Sequence, residues 1–459
     1  MWGSATRTTH LREGETGHTK NSRERQEAHL RSQIVQTKLE GIADQARRYP
    51  DRVFTTLYYQ IDDWMLHAAF REIKRDRAAG VDKRTAREYM RNLETNIASL
   101  YERLRTYTYR PHPVKRVWLE KEGNKKRPIG IPCLEDKIVG RAVSMLLESI
   151  YENDFHYFSY GFRPNRNQHM ALKEIWDQCT YNNIRWIVDA DVQGFFDSID
   201  HKYLREILKR RMNDGRIRWL IDLWLKAGVW ENGHVRGTKH GVAQGSVVSP
   251  ILANIFLHTV LDDWFVKEIQ PRLYGRSFIV RFCDDFLIGC EDERDARRIM
   301  KVLPKRFSRF NLTIHPEKTQ LVKFCPPDIG KDISRQSTFD FLGFTHYWAK
   351  SLRGRWVIKR KTMAKRLRRC MRSIWIWCRE NRHWSVPEQW RALCSKLRGH
   401  YIYYGIRCNY KMLEVVYEHT IKAWKRWLGR RTRSGQLSWE EFNRKIGDVF
   451  PLPRPRIIH

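Results

Sequence analysis

Asp284 and Asp285 stand side by side in the stretch Arg281-Phe282-Cys283-Asp284-Asp285-Phe286-Leu287-Ile288-Gly289, with Phe278, Ile279 and Val280 ahead of them. Short apolar runs on both flanks predict two strands of a hairpin with the acids at its turn. Two adjacent carboxylates beside a buried sheet are costly unless something positive compensates them, and a divalent cation is the usual solution. An ordinary Asp-containing turn has the same letters, so a second signal is needed. It lies upstream, where an apolar strand beginning at Ile184 runs into Asp191, turns at Gly194 and meets Phe195-Phe196. One carboxylate at a strand end and two at a hairpin turn can converge on a pair of Mg²⁺ ions. Such a pair clamps the attacking and leaving oxygens of an in-line phosphoryl displacement.

Other stretches offer groups that this chemistry needs. Residues 117–132 read as a hairpin with a basic tip whose arms carry Lys121 and Arg127, both placed to reach one anionic group. Tyr160-Gly161-Phe162-Arg163-Pro164-Asn165-Arg166 sets Arg163 and Arg166 on a Gly/Pro-shaped turn, which suits phosphate contacts along a strand. Residues 241–248 are small enough to let backbone approach a ligand closely. Ser249 and Pro250 then read as cap and first position of a helix burying Leu252, Ile255, Phe256 and Val260. Residues 312–322 read as strand, turn and strand, with Lys318 at the turn. Taken singly, each of these is also what a solvated turn or a plain helix start looks like.

Together they are specific. Asp191 with Phe196 five residues on, and Phe-Cys-Asp-Asp further down, resemble the palm motifs of reverse transcriptases; the best match is to the reverse transcriptase/maturase proteins of bacterial group II introns. The resemblance covers about residues 55–455 in family order, and residues 397–404 (Leu-Arg-Gly-His-Tyr-Ile-Tyr-Tyr) look like the maturase segment that separates this class from retroviral, retron and telomerase-type enzymes. It implies an α+β right-hand polymerase: fingers, a palm with an antiparallel sheet, and an α-helical thumb/maturase domain. It implies RNA-directed DNA synthesis, with Asp191, Asp284 and Asp285 holding two Mg²⁺ ions and the Val192 carbonyl as a further ligand. Lys121 and Arg127 would then lie on the fingers hairpin that closes over the deoxynucleotide triphosphate, with Gln244, Gly245 and Lys318 also at the nucleotide. Phe196 would sit beneath the sugar and exclude a ribose hydroxyl, a core aromatic being the alternative. Arg163 and Arg166 would follow the template, and Leu342 and Gly343 would form the tip of the primer-grip hairpin. Phe282 and Cys283 depart from the common Tyr and Ala, which bears on primer-end and nucleotide contacts rather than on metal binding. No Cys-paired HNH segment follows residue 404, so second-strand DNA cleavage is expected from elsewhere or not at all.

The bulk numbers agree. A chain of 459 residues with a formal net charge of +34 points to a polyanion partner, and with no apolar run of membrane-spanning length that partner is nucleic acid. Nine scattered cysteines without a Cys-x-x-Cys pair argue against a zinc ribbon or a secreted disulfide framework. The expected location is therefore cytoplasmic, nucleoid-associated when acting on DNA. Composition suggests a polar leader over 1–50, flexible or weakly helical, and a basic Pro-containing tail over 436–459; between them the resemblance implies N-terminal extension and fingers over 51–180, palm over 181–350 and thumb/maturase over 351–435. Residues 351–459 hold 27 Lys/Arg against 7 Asp/Glu and eight of the 18 Trp, a composition suited to lying along an RNA or RNA–DNA duplex. Expected partners are intron RNA, an RNA template, a DNA primer or target and deoxynucleotide triphosphates. Recruitment of the same enzyme to phage defence or repair, or an inert RNA-binding splicing cofactor, are the rival readings.

Overall fold

The helix Leu134–Tyr151 is apolar almost all the way round, and a helix of that kind must be enclosed. The computed structural model describes residues 16–120, 126–237, 240–327, 337–431 and 437–459, with side chains from Leu30 onward. In it Ile138, Val139, Ala142, Val143, Leu147 and Ile150 are fully buried, and the helices Thr16–Arg48 and Asp63–Glu72 pack on them. The expectation of a flexible polar leader does not hold for residues 30–48, where Val35, Ile42 and Ala46 recur at helical spacing and are buried. Three residues make a stripe too narrow for composition to reveal. Arg211 holds the end of that helix in place, donating to the carbonyls of Ala46, Tyr49 and Arg52 while pairing with Asp154 at 2.8 Å. A cation there also suits the negative end of the helix dipole.

Chain-distant segments gather into two compact units. The first draws on the chain up to Tyr157, on Val192–Glu268 and on Lys305–Thr313; the second on Phe158–Asp191, Ile269–Pro304 and Ile314–His459. The continuous spans expected from composition do not coincide with them, because strands far apart in sequence pair with one another.

Beyond its helices, the first unit has a four-stranded sheet in the order Lys126–Ile131, Val114–Glu120, Val229–Glu231, His234–Arg236. Its first two strands are the arms of the expected basic hairpin, antiparallel from Lys115 opposite Ile131 to Glu120 opposite Lys126. The second unit is built on an antiparallel sheet in the order Ser277–Phe282, Asp285–Cys290, Trp186–Ala190, Gln320–Lys323. The helix Gln168–Tyr181 covers it with Ala171, Leu172, Ile175 and Cys179. The same apolar cluster takes in a three-stranded sheet, Phe339–Phe341, Phe344–Lys350 and Trp356–Thr362, through Phe339, Phe344, Trp348 and Ile358. Three long helices follow, Ala364–Glu380, Val386–Tyr404 and Tyr410–Gly429, around a core of their own containing Leu393, Leu397, Leu413, Val416 and Trp424. The fold is thus mixed α and β with antiparallel central pairing. No helix among the described residues is long and apolar enough to cross a membrane.

Candidate active site

Strand register alone assembles the acids. In the second unit Ala190 pairs with Phe286, so the next step sets Asp191 beside Asp285. On the other flank Asp189 pairs with Gln320, and continuing that register sets Asp191 beside Lys318. Residues directly opposite each other share a face of the sheet. Lys318 bears this out with an ion pair from its Nζ to the Asp191 carboxylate. The strand end is held as well, since Asp191 accepts a 2.8 Å hydrogen bond from the His315 N–H on its main-chain oxygen. Asp189, two residues back, lies on the same face by the period of a strand.

Crowding leaves an electrostatic mark. Desolvation by the surrounding protein, then the charges of Asp284, Asp191 and Asp189, push the Asp285 carboxyl up to about 7, although one side of it still reaches solvent. Arg366, on the helix Ala364–Glu380, works in the opposite direction. Burial, with Asp191 and Asp340, likewise raises Asp189 to about 6, against a hydrogen bond from Gln320. An acid held this high by its neighbours is relieved by a cation, and oxygen-rich groups of this kind suit Mg²⁺-like ions. The residues present therefore fit a divalent metal.

The acidic turn is braced from behind. Cys283 is buried and has φ +60°, while Asp284 after it does not have a positive φ. Arg281, fully buried, donates to the Cys283 carbonyl at 3.1 Å. Tyr160 donates from its N–H to the Arg281 carbonyl at 2.8 Å, and Arg281 from its N–H to that of Phe158 at 3.0 Å. Gly161 then lies so close that a Cβ on it would stand 2.4 Å from the Cys283 nitrogen. Arg163 is buried and donates to the Ser159 carbonyl at 2.8 Å, so its guanidinium is turned into the protein. Arg166 is half-buried over the Tyr160 ring, 5.5 Å from its centroid.

Leu342 and Gly343 have φ +48° and +81°, two positive values in succession at a two-residue hairpin turn, as in type I′. The Tyr403 hydroxyl donates to the Leu342 carbonyl at 3.0 Å, and the Met363 N–H to that of Gly343 at 3.0 Å. A Cβ on Gly343 would meet the Tyr404 hydroxyl at 3.0 Å. The expected maturase segment, which lies in the helix Val386–Tyr404, therefore fixes the hairpin tip.

The first unit brings a different set together. Arg127 donates from Nε to the Gln244 side-chain carbonyl at 2.9 Å, and the Gly130 N–H to the Gln244 main-chain carbonyl at 2.6 Å. Gly245 has φ +107°, and a Cβ there would stand 2.4 Å from the Gly130 oxygen, so the position requires glycine. Phe196 is 7 % exposed with its ring edge-on to Phe195, and its carbonyl accepts from the Val242 N–H at 2.7 Å. Val192 is buried in this unit. Beside the loop an open cleft of about 520 Å³ is lined by Arg116, Gly130, Asp197, His240, Ala243 and Gln244. Lys121 lies outside the described residues. Sequence reasoning missed Asp189, whose i, i+2 spacing from Asp191 was visible, and Arg366, which only the tertiary fold brings to Asp285.

Residues 119–346 match the family described as reverse transcriptase (RNA-dependent DNA polymerase). The chain is 38% identical over 244 residues to the group II intron-encoded protein LtrA of Lactococcus lactis subsp. cremoris, covering 52% of this chain and 40% of that protein. Protein YkfC of Escherichia coli K12 is 37% identical over 238 residues, covering 48% of this chain and 62% of its own. A putative COX1/OXI3 intron 2 protein of Saccharomyces cerevisiae is 38% identical over 168 residues, covering 36% and 19%. Over residues 119–346 the chain is therefore similar to a reverse transcriptase domain, and these relatives are named as intron-encoded proteins or, for YkfC, by letters alone. It spans less than two thirds of the length of each of these relatives. The matched reverse transcriptase segment encloses every candidate residue from Lys121 to Gly343, whereas Arg366, Tyr403 and Tyr404 lie beyond it. Reverse transcriptase domains work with divalent metal ions, in keeping with the crowded carboxylates.

Proposed function

We propose that this protein is an RNA-directed DNA polymerase of a group II intron that also binds its intron RNA to assist splicing and mobility. The observation that carries the reading is the carboxylate edge, where sheet register aligns Asp191 with Asp285 and Asp285 is raised to about 7 beside Asp284. Asp191, Asp284 and Asp285, with the Val192 carbonyl, would hold two Mg²⁺ ions. When bound, these would stabilise charge on the attacking primer oxygen and on the leaving pyrophosphate. Lys318, which pairs with Asp191, would also reach the incoming phosphates, where an ammonium can give a proton to pyrophosphate. Arg127, with Lys121, would hold the triphosphate, and Gln244 and Gly245 the base pair being formed. Phe196 would limit the sugar pocket. Leu342 and Gly343 would place the primer end, with Arg166 on the template; the inward turn of Arg163 favours a bracing role for that residue. RNA template, DNA primer and deoxynucleotides are the partners this reading requires. Residues 351–459 would supply much of the RNA surface.

The test is Asp284→Ala. Primer extension on an RNA template should fall by about 10³-fold or more, on the order of 4 kcal/mol in the barrier. RNA affinity should stay close to wild type, because basic side chains rather than this carboxylate provide it. Extension by the purified variant within about 10-fold of wild type at saturating Mg²⁺, on the order of 1.4 kcal/mol, removes the metal assignment.

A further inference from the structure

Within the first unit, His156, His258 and Asp263 come together with no part in the chemistry above. His156 follows the end of the helix Leu134–Tyr151. His258 opens a π-helical turn, His258–Asp262, that continues the helix Ser249–Leu257. An α-helix would set residue i+5 well round from residue i, whereas a π turn closes a wider ring, here with the Asp263 N–H donating to the His258 carbonyl. Asp263 is thereby carried back beneath His258. Its Oδ1 lies 3.0 Å from His156 Nε2 and 3.7 Å from His258 Nε2. One ligand atom from each of the three residues lies within 4.8 Å of the other two. Donor atoms bound tetrahedrally at 2.0–2.1 Å from zinc are themselves about 3.4 Å apart. The three groups already stand near coordination spacing.

The surroundings fit a metal better than a simple ion pair. An Asp–His pair needs one imidazole, and here two converge on a single carboxylate oxygen. Behind His258, the fully buried Asp262 carboxylate lies 3.9 Å from Nδ1, longer than a hydrogen bond but close enough to favour a positive charge on or near the ring. Phe155 packs edge-on against the same ring at 5.5 Å. Lys267 takes the other Asp263 oxygen at 2.8 Å, leaving Oδ1 to the histidines. Two imidazoles and one carboxylate suit zinc-class ions, whereas Mg²⁺ prefers all-oxygen sites with retained water.

We propose that His156, His258 and Asp263 form a binding site for a zinc-class divalent cation. It is built from other residues than the carboxylate edge and is structural in effect, tying the turn after residue 151 to the helical segment that carries residues 249–263. Full-length protein stripped with a chelator and titrated with Co²⁺ should develop the intense visible bands of a four-coordinate site at one equivalent. Zn²⁺ should displace them and millimolar Mg²⁺ should not. His156→Ala, and the bulkier His156→Gln should the first variant fail to fold, should abolish the bands. Asp284→Ala should keep them. Zn²⁺ should raise the melting temperature of the wild type and not that of the His156 variant, as ligand linkage requires. Bands that survive both His156→Gln and Asp263→Asn overturn the proposal, and so does the absence of any saturable equivalent in the wild type.

Discussion

Asp285 is an acid made weak first by desolvation and then by other acids, and its behaviour with pH follows from that. A carboxyl whose folded-state pKa is raised binds more protons when folded than when unfolded between its two pKa values, so stability falls as pH rises through that window. For Asp285 the window runs from the ordinary carboxylate value of 3.8 to about 7. In chelator, Asp285→Asn should therefore raise the melting temperature at pH 8, where the wild type is ionised, and change it little at pH 5. Equal shifts at both values would show that crowding is not the cause. Phe196 poses the other question at this scale, because its burial against Phe195 suits a core aromatic as well as a sugar gate. Under the gate reading, Phe196→Ala raises ribonucleotide over deoxynucleotide incorporation about 10-fold, on the order of 1.4 kcal/mol of lost discrimination. Extension measured with each sugar separately, beside a thermal melt, decides it; two activities falling in parallel with an unchanged ratio removes the gate.

Among the elements, the acidic hairpin depends on a neighbour from outside its own strands. Gly161→Ala would drive a methyl into the Cys283 backbone, 2.4 Å away, in a place where the chain cannot give without moving the turn. Overpacking of that sort costs about 1–3 kcal/mol. Extension should drop far more than RNA binding, and a variant with wild-type extension would show that the brace is dispensable. The hairpins themselves were legible because apolar runs flank each turn. Cys283's left-handed backbone was not, since nothing in a Cys signals φ +60°. The helix Val386–Tyr404 has its start written in the sequence: Ser385 and Glu388 form a capping box, with Pro387 in the first turn. Pro304, which local propensity would read as a helix breaker, lies inside the helix Glu293–Ser308. Local propensity yields there to the rest of the helix.

For the whole molecule, charge was the plainest message of the sequence and topology the faintest. Net charge survives any rearrangement of the chain, whereas each unit gathers distant segments through pairings that no local pattern encodes, as when, in the second unit, Trp186–Ala190 takes both Asp285–Cys290 and Gln320–Lys323 as neighbours. Arg353, Arg355, Arg368 and Arg369 are exposed on the basic C-terminal part. Each phosphate they neutralise contributes roughly 0.7–0.9 to the slope of log K against log salt. Replacing all four by Gln should flatten that slope by about 3 in titrations of RNA binding. A slope that does not move places the main RNA surface elsewhere.

The hairpin that turns at Leu342 and Gly343 has a consequence for how such a gene can decay. Its tip is held by Tyr403 and Tyr404, and Phe344 shares one apolar cluster with Ile406 and with Val280 and Leu287 of the acid-bearing strands. A lineage that stopped copying RNA but still needed these helices to chaperone a transcript could not delete the sheet beneath them. Its acids would erode codon by codon while the apolar residues stayed under selection, leaving a silent polymerase still folded around its former catalytic edge.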